Sequence, residues 1–235
     1  MEIMLNHFTY NSKSTADFGL LVTGRTIFGA PSRKVERYSV AGRNGDIIVD
    51  LGAFENYQVQ YEIAVIDSFK TNARAIANWL LSTKGYNRLE DTYDTTHFRL
   101  AALYSNIEYA VTALDREGTA VIVFDCKPQR FLNAGETTTT ITSASYTLNN
   151  PTNMPARPLL RVTTTGKVTI NGNEITVSAV DGYVDIDCET QQAYKGTTNC
   201  NNDIIVDEFP VLVGGNNTIT QTTTTVAVTP RWWEL

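Results

Sequence analysis

What most constrains the fold of this chain is the punctuation of its C-terminal stretch. Arg157–Thr165, Lys167–Asn171, Glu174–Val180, Gly182–Glu189, Asn217–Gln221 and Thr224–Thr229 are short runs rich in Val, Ile and Thr, separated by Asn-Gly, Gly-Asn, Asp-Gly and Gly-Gly dipeptides. β-branched side chains fit a pleated surface, and those dipeptides supply the positive φ angles that hairpin turns require. No helical run of useful length fits between such turns, so the spacing predicts an antiparallel sandwich. Asn171-Gly172-Asn173 is the clearest turn, and Val168–Ile170 is expected to pair directly with Glu174–Val177.

The preceding block reads differently. Val59–Ile66, His97–Val111 and Thr119–Lys127 are strand-like, but Ala73, Ile76, Ala77, Leu80 and Leu81 follow the i, i+3, i+4, i+7, i+8 pattern of one amphipathic helix, about 68–84. Asp67 or Ser68 is placed to cap its N-terminus and Gly85 to cap its C-terminus, with Trp79 beside the apolar stripe as a packing residue. From about Leu132 the chain becomes richer in Thr and Asn and poorer in charge. A boundary near Leu132–Thr137 therefore divides an N-terminal β-domain with one helix, residues 1–132, from a C-terminal antiparallel β-sandwich, residues 133–235.

Charge narrows the partners. The 235 residues carry 19 Lys and Arg against 25 Asp and Glu, a net −6, which disfavours phosphate backbones and anionic lipid surfaces because both are bound by basic side chains displacing counterions. No apolar stretch reaches the roughly 18–20 residues needed to span a bilayer. Met1–Tyr10 mixes Glu2, Asn6 and His7 with its apolar residues and does not read as a secretion signal. Cys126, Cys188 and Cys200 are odd in number and lack a C-x-x-C spacing, which fits free thiols in a reducing compartment.

Catalytic signatures are absent. His7 and His97, the two histidines, have no metal-ligand spacing, and the chain holds no G-x-S-x-G elbow, Walker loop or G-x-G-x-x-G. We therefore expect no catalytic residue, cofactor or metal. Asp185, Asp187 and Glu189 alternate with Val184, Ile186 and Cys188, so strand periodicity puts the three acids on one face. A calcium site or a glycosidase acid pair uses clustered carboxylates, whereas ordinary alternation makes this a half-buried strand with a solvated acidic face, the reading we favour. Gly42-Arg43-Asn44-Gly45 lies between Tyr38-Ser39-Val40 and Ile47-Ile48-Val49 and reads as a hairpin turn, with Arg43 at its tip available for protein contact. Asn216-Asn217-Thr218 matches a glycosylation triplet by chance frequency alone, and Thr137–Thr140 and Thr222–Thr225 lack the interspersed proline of a mucin stalk and read as Thr-rich strands.

In order and spacing, several of these segments resemble the distal tail proteins of long, non-contractile-tailed bacteriophages. In the first block the resemblance rests on Val40-Ala41-Gly42-Arg43-Asn44-Gly45-Asp46, Asp50-Leu51-Gly52, Tyr57, Trp79-Leu80, Gly85-Tyr86, Leu89-Glu90-Asp91 and Phe124 through Phe131. In the second it rests on Asn149-Asn150-Pro151, Ala156-Arg157-Pro158, Asn171-Gly172, Asp187-Cys188-Glu189-Thr190, Ala193-Tyr194, Phe209-Pro210-Val211-Leu212, Gly215 through Ile219 and Thr229-Pro230-Arg231-Trp232-Trp233.

The resemblance implies a non-enzymatic hub of the virion tail tip, assembled in the cytoplasm of the bacterial host. Its N-terminal domain would form a homo-hexameric ring and its C-terminal domain a galectin-like or carbohydrate-module-like sandwich. Implied partners are the tail tube protein, the tape-measure protein, the tail-tip hub protein and receptor-binding proteins, with neither nucleic-acid sequence recognition nor membrane insertion. A competing reading is a carbohydrate-binding module serving host attachment. Trp232 and Trp233 are its candidate aromatics; adjacent strand residues face opposite ways, so at most one lines a groove while the other packs inward.

Overall fold

A computed structural model describes residues 6–25, 29–112, 116–223 and 225–235. Met1–Leu5 of the N-terminal segment and Thr224 of the second threonine run lie outside the described residues. Contacts group the chain into two units, one running to Arg130 together with Leu235, the other Phe131–Glu234. The chain is mostly strand, with one α-helix among the described residues.

Strands β1 (Phe8–Tyr10), β2 (Lys13–Ser14), β3 (Leu20–Arg25), β4 (Arg33–Tyr38), β5 (Ile47–Phe54) and β6 (Tyr57–Val65) precede helix α1 (Phe69–Ser82). β7 (Asn87–Asp91), β8 (Asp94–Ala102), β9 (Ala110–Val111) and β10 (Gly118–Leu132) follow it. The main sheet of the first unit runs in the order β2-β1-β7-β8-β10-β6-β3, while among the described residues β4 and β5 pair with each other alone. Period-two patterning sets its inner face. Val59, Tyr61, Ile63 and Val65 of β6 are buried with Ala120, Ile122, Phe124 and Cys126 of β10, in a register running from Gly118 opposite Val65 to Cys126 opposite Tyr57. Burying an aliphatic or aromatic side chain of this size contributes about 1.5–3 kcal/mol.

The helix packs on the same core, through a stripe that differs by one turn position from the expected one. Phe69, Ile76, Trp79 and Leu80 are buried, whereas Leu81 is 49% exposed. Trp79 displaces it because the indole has dedicated partners: it stacks on Phe18 at 4.7 Å and its Nε1–H donates to the Tyr10 carbonyl at 3.2 Å. The caps differ too. Ser68 sits at the N-cap at φ +46 with no side-chain cap bond, and the Asn72 amide instead donates to the Asp67 carbonyl. At the other end Thr83 is extended, and its hydroxyl, with that of Ser82, donates back to the Trp79 carbonyl, leaving Gly85 beyond the cap. His97–Val111 is not one strand: β8 ends at Ala102, Leu103 is buried, and Tyr104 is exposed in a connection where Ser105 bonds the Val123 carbonyl.

The second unit holds β11 (Thr139–Ile141), β12 (Ser145–Asn150), β13 (Leu159–Val162), β14 (Gly166–Ile170), β15 (Asn173–Val177) and β16 (Val184–Asp187). It continues with β17 (Gln192–Lys195), β18 (Thr198–Asn199), β19 (Ile204–Val206), β20 (Gly215–Gln221), β21 (Val226–Thr229) and β22 (Trp233–Glu234). Two antiparallel sheets, ordered β11-β21-β13-β16-β17-β18 and β12-β20-β14-β15-β19, enclose one core. Leu160, Val162, Ile186 and Val228 enter it from the first sheet, Val168, Ile170, Ile175 and Ile219 from the second. This is a β-sandwich, with hydrophobic-in alternation on both layers. Ile170 pairs with Asn173 across the two-residue turn Asn171-Gly172, at φ +51 and +95, the geometry expected of Asn-Gly. Of the threonine runs, Thr139 and Thr140 lie in β11, while Thr222 and Thr223 form a bend between β20 and β21.

Candidate functional site

Among the described residues, β4 and β5 form a hairpin with no third strand. Tyr38 pairs with Ile47, Arg37 with Ile48, Glu36 with Val49 and Val35 with Asp50. The connection is therefore Ser39–Asp46, longer than the tight turn that Asn44-Gly45 suggests. A first turn is closed by the Arg43 N–H donating to the Val40 carbonyl at 3.2 Å, with Gly42 at φ +78, and Gly45 at φ +79 reverses the chain again before β5. Gly42, Arg43, Asn44 and Gly45 are all exposed and share one tip. At the base, a bulge after Lys34 is held by the Asp50 carboxylate, which accepts from Gly52 N–H and from Arg33, both at 2.9 Å.

Both faces of this hairpin stand largely open among the described residues. Directly opposed residues share a face, so Tyr38, Ile47 and Val49 lie together on one side and Ile48 on the other. Tyr38, Val40, Ile47, Ile48, Val49 and Leu51 are between 40% and 61% exposed. The sequence carries a signal for this that the turn reading passed over: Ile47-Ile48-Val49 has no polar alternation, so a paired ribbon must place apolar groups on both faces.

The acidic strand takes a form different from the solvated face expected of it. Asp185 and Asp187 in β16 are each 6% exposed, while Glu189 lies beyond the strand end and is exposed. Arg161 grips Asp185 with two bonds, Nε at 2.6 Å and an Nη at 2.8 Å, and its guanidinium lies 4.3 Å from the Tyr183 ring centre. Arg231 grips Asp187 likewise at 2.7 and 3.0 Å, and the Glu189 and Thr190 N–H groups donate to the same carboxylate. Burial pushes the Asp187 pKa up, but the Arg231 bonds and charge and the two N–H donors outweigh it, so the pKa is lowered. A glycosidase general acid needs the opposite shift. The carboxylates are held by arginine rather than by each other, and no group of metal-ligating side chains occurs among the described residues.

Trp232 is 5% exposed in the second core, and Trp233 packs against that core with its Nε1–H donating to the Pro155 carbonyl at 2.9 Å. Both indoles are thus engaged in packing. Cys126, Cys188 and Cys200 are unpaired, and burial pushes the first two thiols up to about 12, which keeps them as inert core residues.

No family model matches the chain, and no curated relative matches it. Solved structures do. The Dit protein of phage SPP1, described as a paradigm of the hub adsorption apparatus in phages that infect Gram-positive hosts, superposes with a TM-score of 0.74 at 15% identity, over 95% of this chain and 97% of that one. Chains of the phage P2 baseplate in its activated conformation, with Ca and with Sr, give TM-scores of 0.53 and 0.52 at 12% identity, covering 96% and 95% of this chain and 98% and 97% of theirs. Along nearly its whole length, both units included, this chain shares the fold of the SPP1 Dit protein and of chains in the phage P2 baseplate.

Proposed function

We propose that this protein is a structural component of a phage tail tip, a hub that closes into a homo-hexameric ring and joins the tail tube to the adhesion device. The apolar faces of β4 and β5 in the first unit make the contact between copies, with the Gly42–Gly45 tip at its solvent-open edge, and the chain works through protein surfaces without a chemical step. Tail tube, tape-measure, tail-tip hub and receptor-binding proteins are the partners, in a virion assembled in the bacterial cytoplasm. The observation that carries this reading is the largely open β4–β5 hairpin. An isolated two-stranded hairpin is marginal in water. Six large apolar side chains left 40–61% exposed on it make a surface that a second copy stabilises by covering, at up to roughly 0.7–1.5 kcal/mol each, about half the gain for a fully exposed side chain. Head-to-tail contacts of this kind close into rings when the rotation permits, and closure makes each contact support the next.

Light scattering of the full chain tests it: a hexamer is expected. Ile47→Asp with Val49→Asp should give monomer with the far-UV spectrum and melting of both cores retained. Wild-type protein that stays monomeric at high concentration, or a double variant that still forms the ring, overturns the assignment.

A further inference from the structure

Two Asn-Gly pairs occur in the sequence, Asn44-Gly45 and Asn171-Gly172. Both are chemically suited to the same spontaneous reaction, because glycine has no Cβ to shield its backbone nitrogen from the preceding side-chain amide. The fold separates them. Asn171 is held by its side chain in three bonds: Nδ2 donates to the Val211 carbonyl at 3.2 Å and to Asn217 Oδ1 at 2.7 Å, and Oδ1 accepts from the Thr218 N–H at 3.1 Å. Its own N–H donates to the Thr218 carbonyl, and the Ile170–Asn173 pair closes the turn around it. Asn44 has none of this. Both asparagines are exposed and a Cβ on either following glycine would meet nothing within 4 Å, so the difference lies in the side chains: that of Asn44, in the eight-residue connection, makes no hydrogen bond among the described residues.

We propose that Asn44 is a site of spontaneous deamidation in the folded protein and that Asn171 is protected from it. The Gly45 backbone nitrogen gives up its proton to solvent base and attacks Asn44 Cγ; the N–Cγ bond forms, the Cγ–Nδ2 bond breaks, and Nδ2 leaves as ammonia with a proton from water. Water then opens the succinimide ring at either carbonyl, leaving aspartate or isoaspartate at residue 44 and restoring the Gly45 N–H. No electron transfer is involved. At Asn171 the same attack requires the side chain to swing off β20, breaking bonds that the rest of the sandwich holds in place.

The product adds a carboxylate next to Asp46 at the hairpin tip, and the isoaspartate form also lengthens the backbone by one methylene. The consequence for assembly, a weakened contact between copies as the protein ages, rests on the hub reading; the chemistry does not.

The test is peptide mass mapping of the full chain held at mildly alkaline pH, in ordinary and in 18O-labelled water, with a parallel sample in urea. In native buffer the unmodified Asn44 peptide should disappear at least about tenfold faster than the Asn171 peptide, the factor that one or two intact hydrogen bonds impose. Its products should carry one oxygen from water, and in urea the two sites should convert at similar rates. Equal rates in native buffer, faster loss at Asn171, or a difference that survives in urea would each overturn the proposal. Light scattering of an Asn44→Asp variant reads the assembly consequence separately, so a ring indifferent to that charge leaves the mapped chemistry standing and removes only its link to assembly.

Discussion

Asp187 is where a single side chain ties distant parts of the second unit together. Its partner Arg231 lies 44 residues away, and Arg231 itself is at φ +58, a conformation that a non-glycine residue adopts only when its surroundings hold it there. Asp187→Asn keeps the shape and removes the charge. The loss should be roughly 1–3 kcal/mol, below the 3–5 kcal/mol of a fully buried pair because the Arg231 side chain is 30% exposed. Asp185→Asn should cost less, since Arg161 is 53% exposed and keeps its stacking on Tyr183. Thermal melting of the two variants checks the ranking; an Asp187→Asn protein that melts like wild type would show that the pair adds nothing to stability.

At the scale of elements, α1 offers a paired comparison. Leu80 is completely buried and Leu81 is 49% exposed, one residue apart on the same helix. Leu80→Asp places an unpaired charge in the first core and should cost several kcal/mol, enough to lose soluble protein, whereas Leu81→Asp should change stability by no more than about 0.5 kcal/mol. Expression yield and circular dichroism of both variants measure it. If Leu81→Asp proves as damaging as Leu80→Asp, the helix buries a wider face than the one seen here.

For the molecule as a whole, pH reads both units at once. Asp94 in the first unit and Asp187 in the second both have lowered pKa values. Burial opposes the shift at each, and it is outweighed at Asp94 by His97, Thr96 and Arg130 and at Asp187 by Arg231 and backbone N–H groups. A carboxylate lowered in the folded state gives stability that is present above the unfolded value, about 3.9, and is lost as pH falls through the folded value. On the alkaline side the signs reverse. Cys126 and Cys188 are pushed up to about 12 from 9.0 by burial, so their contribution is present below about pH 9 and is lost as pH rises toward 12. Denaturant midpoints followed against pH should show a plateau between about pH 4 and 9 with a fall on either side. Asp187→Asn should flatten the acid limb of the second unit; an unchanged acid limb would assign acid sensitivity to other groups.

Local chemistry made much of this legible in advance. The period-two runs, the single helical stretch and the turn at Asn171-Gly172 depend on residues a few positions apart, and they alone determined a mainly β chain with one helix and a C-terminal sandwich. The exposed Gly42–Gly45 tip was legible for the same reason. What only the tertiary structure decided is set by residues far apart in sequence. Trp79 takes the buried place expected of Leu81 because Phe18 and the Tyr10 carbonyl meet it there. Short strands such as Gln192–Lys195 and Ile204–Val206 exist because β16 and β15 offer them an edge. Asp185 and Asp187 are buried rather than solvated because Arg161 and Arg231 arrive from other strands and segments to neutralise them. Alternation specifies which residues share a face of a strand; whether that face meets water, a core or an arginine depends on what the rest of the chain brings against it.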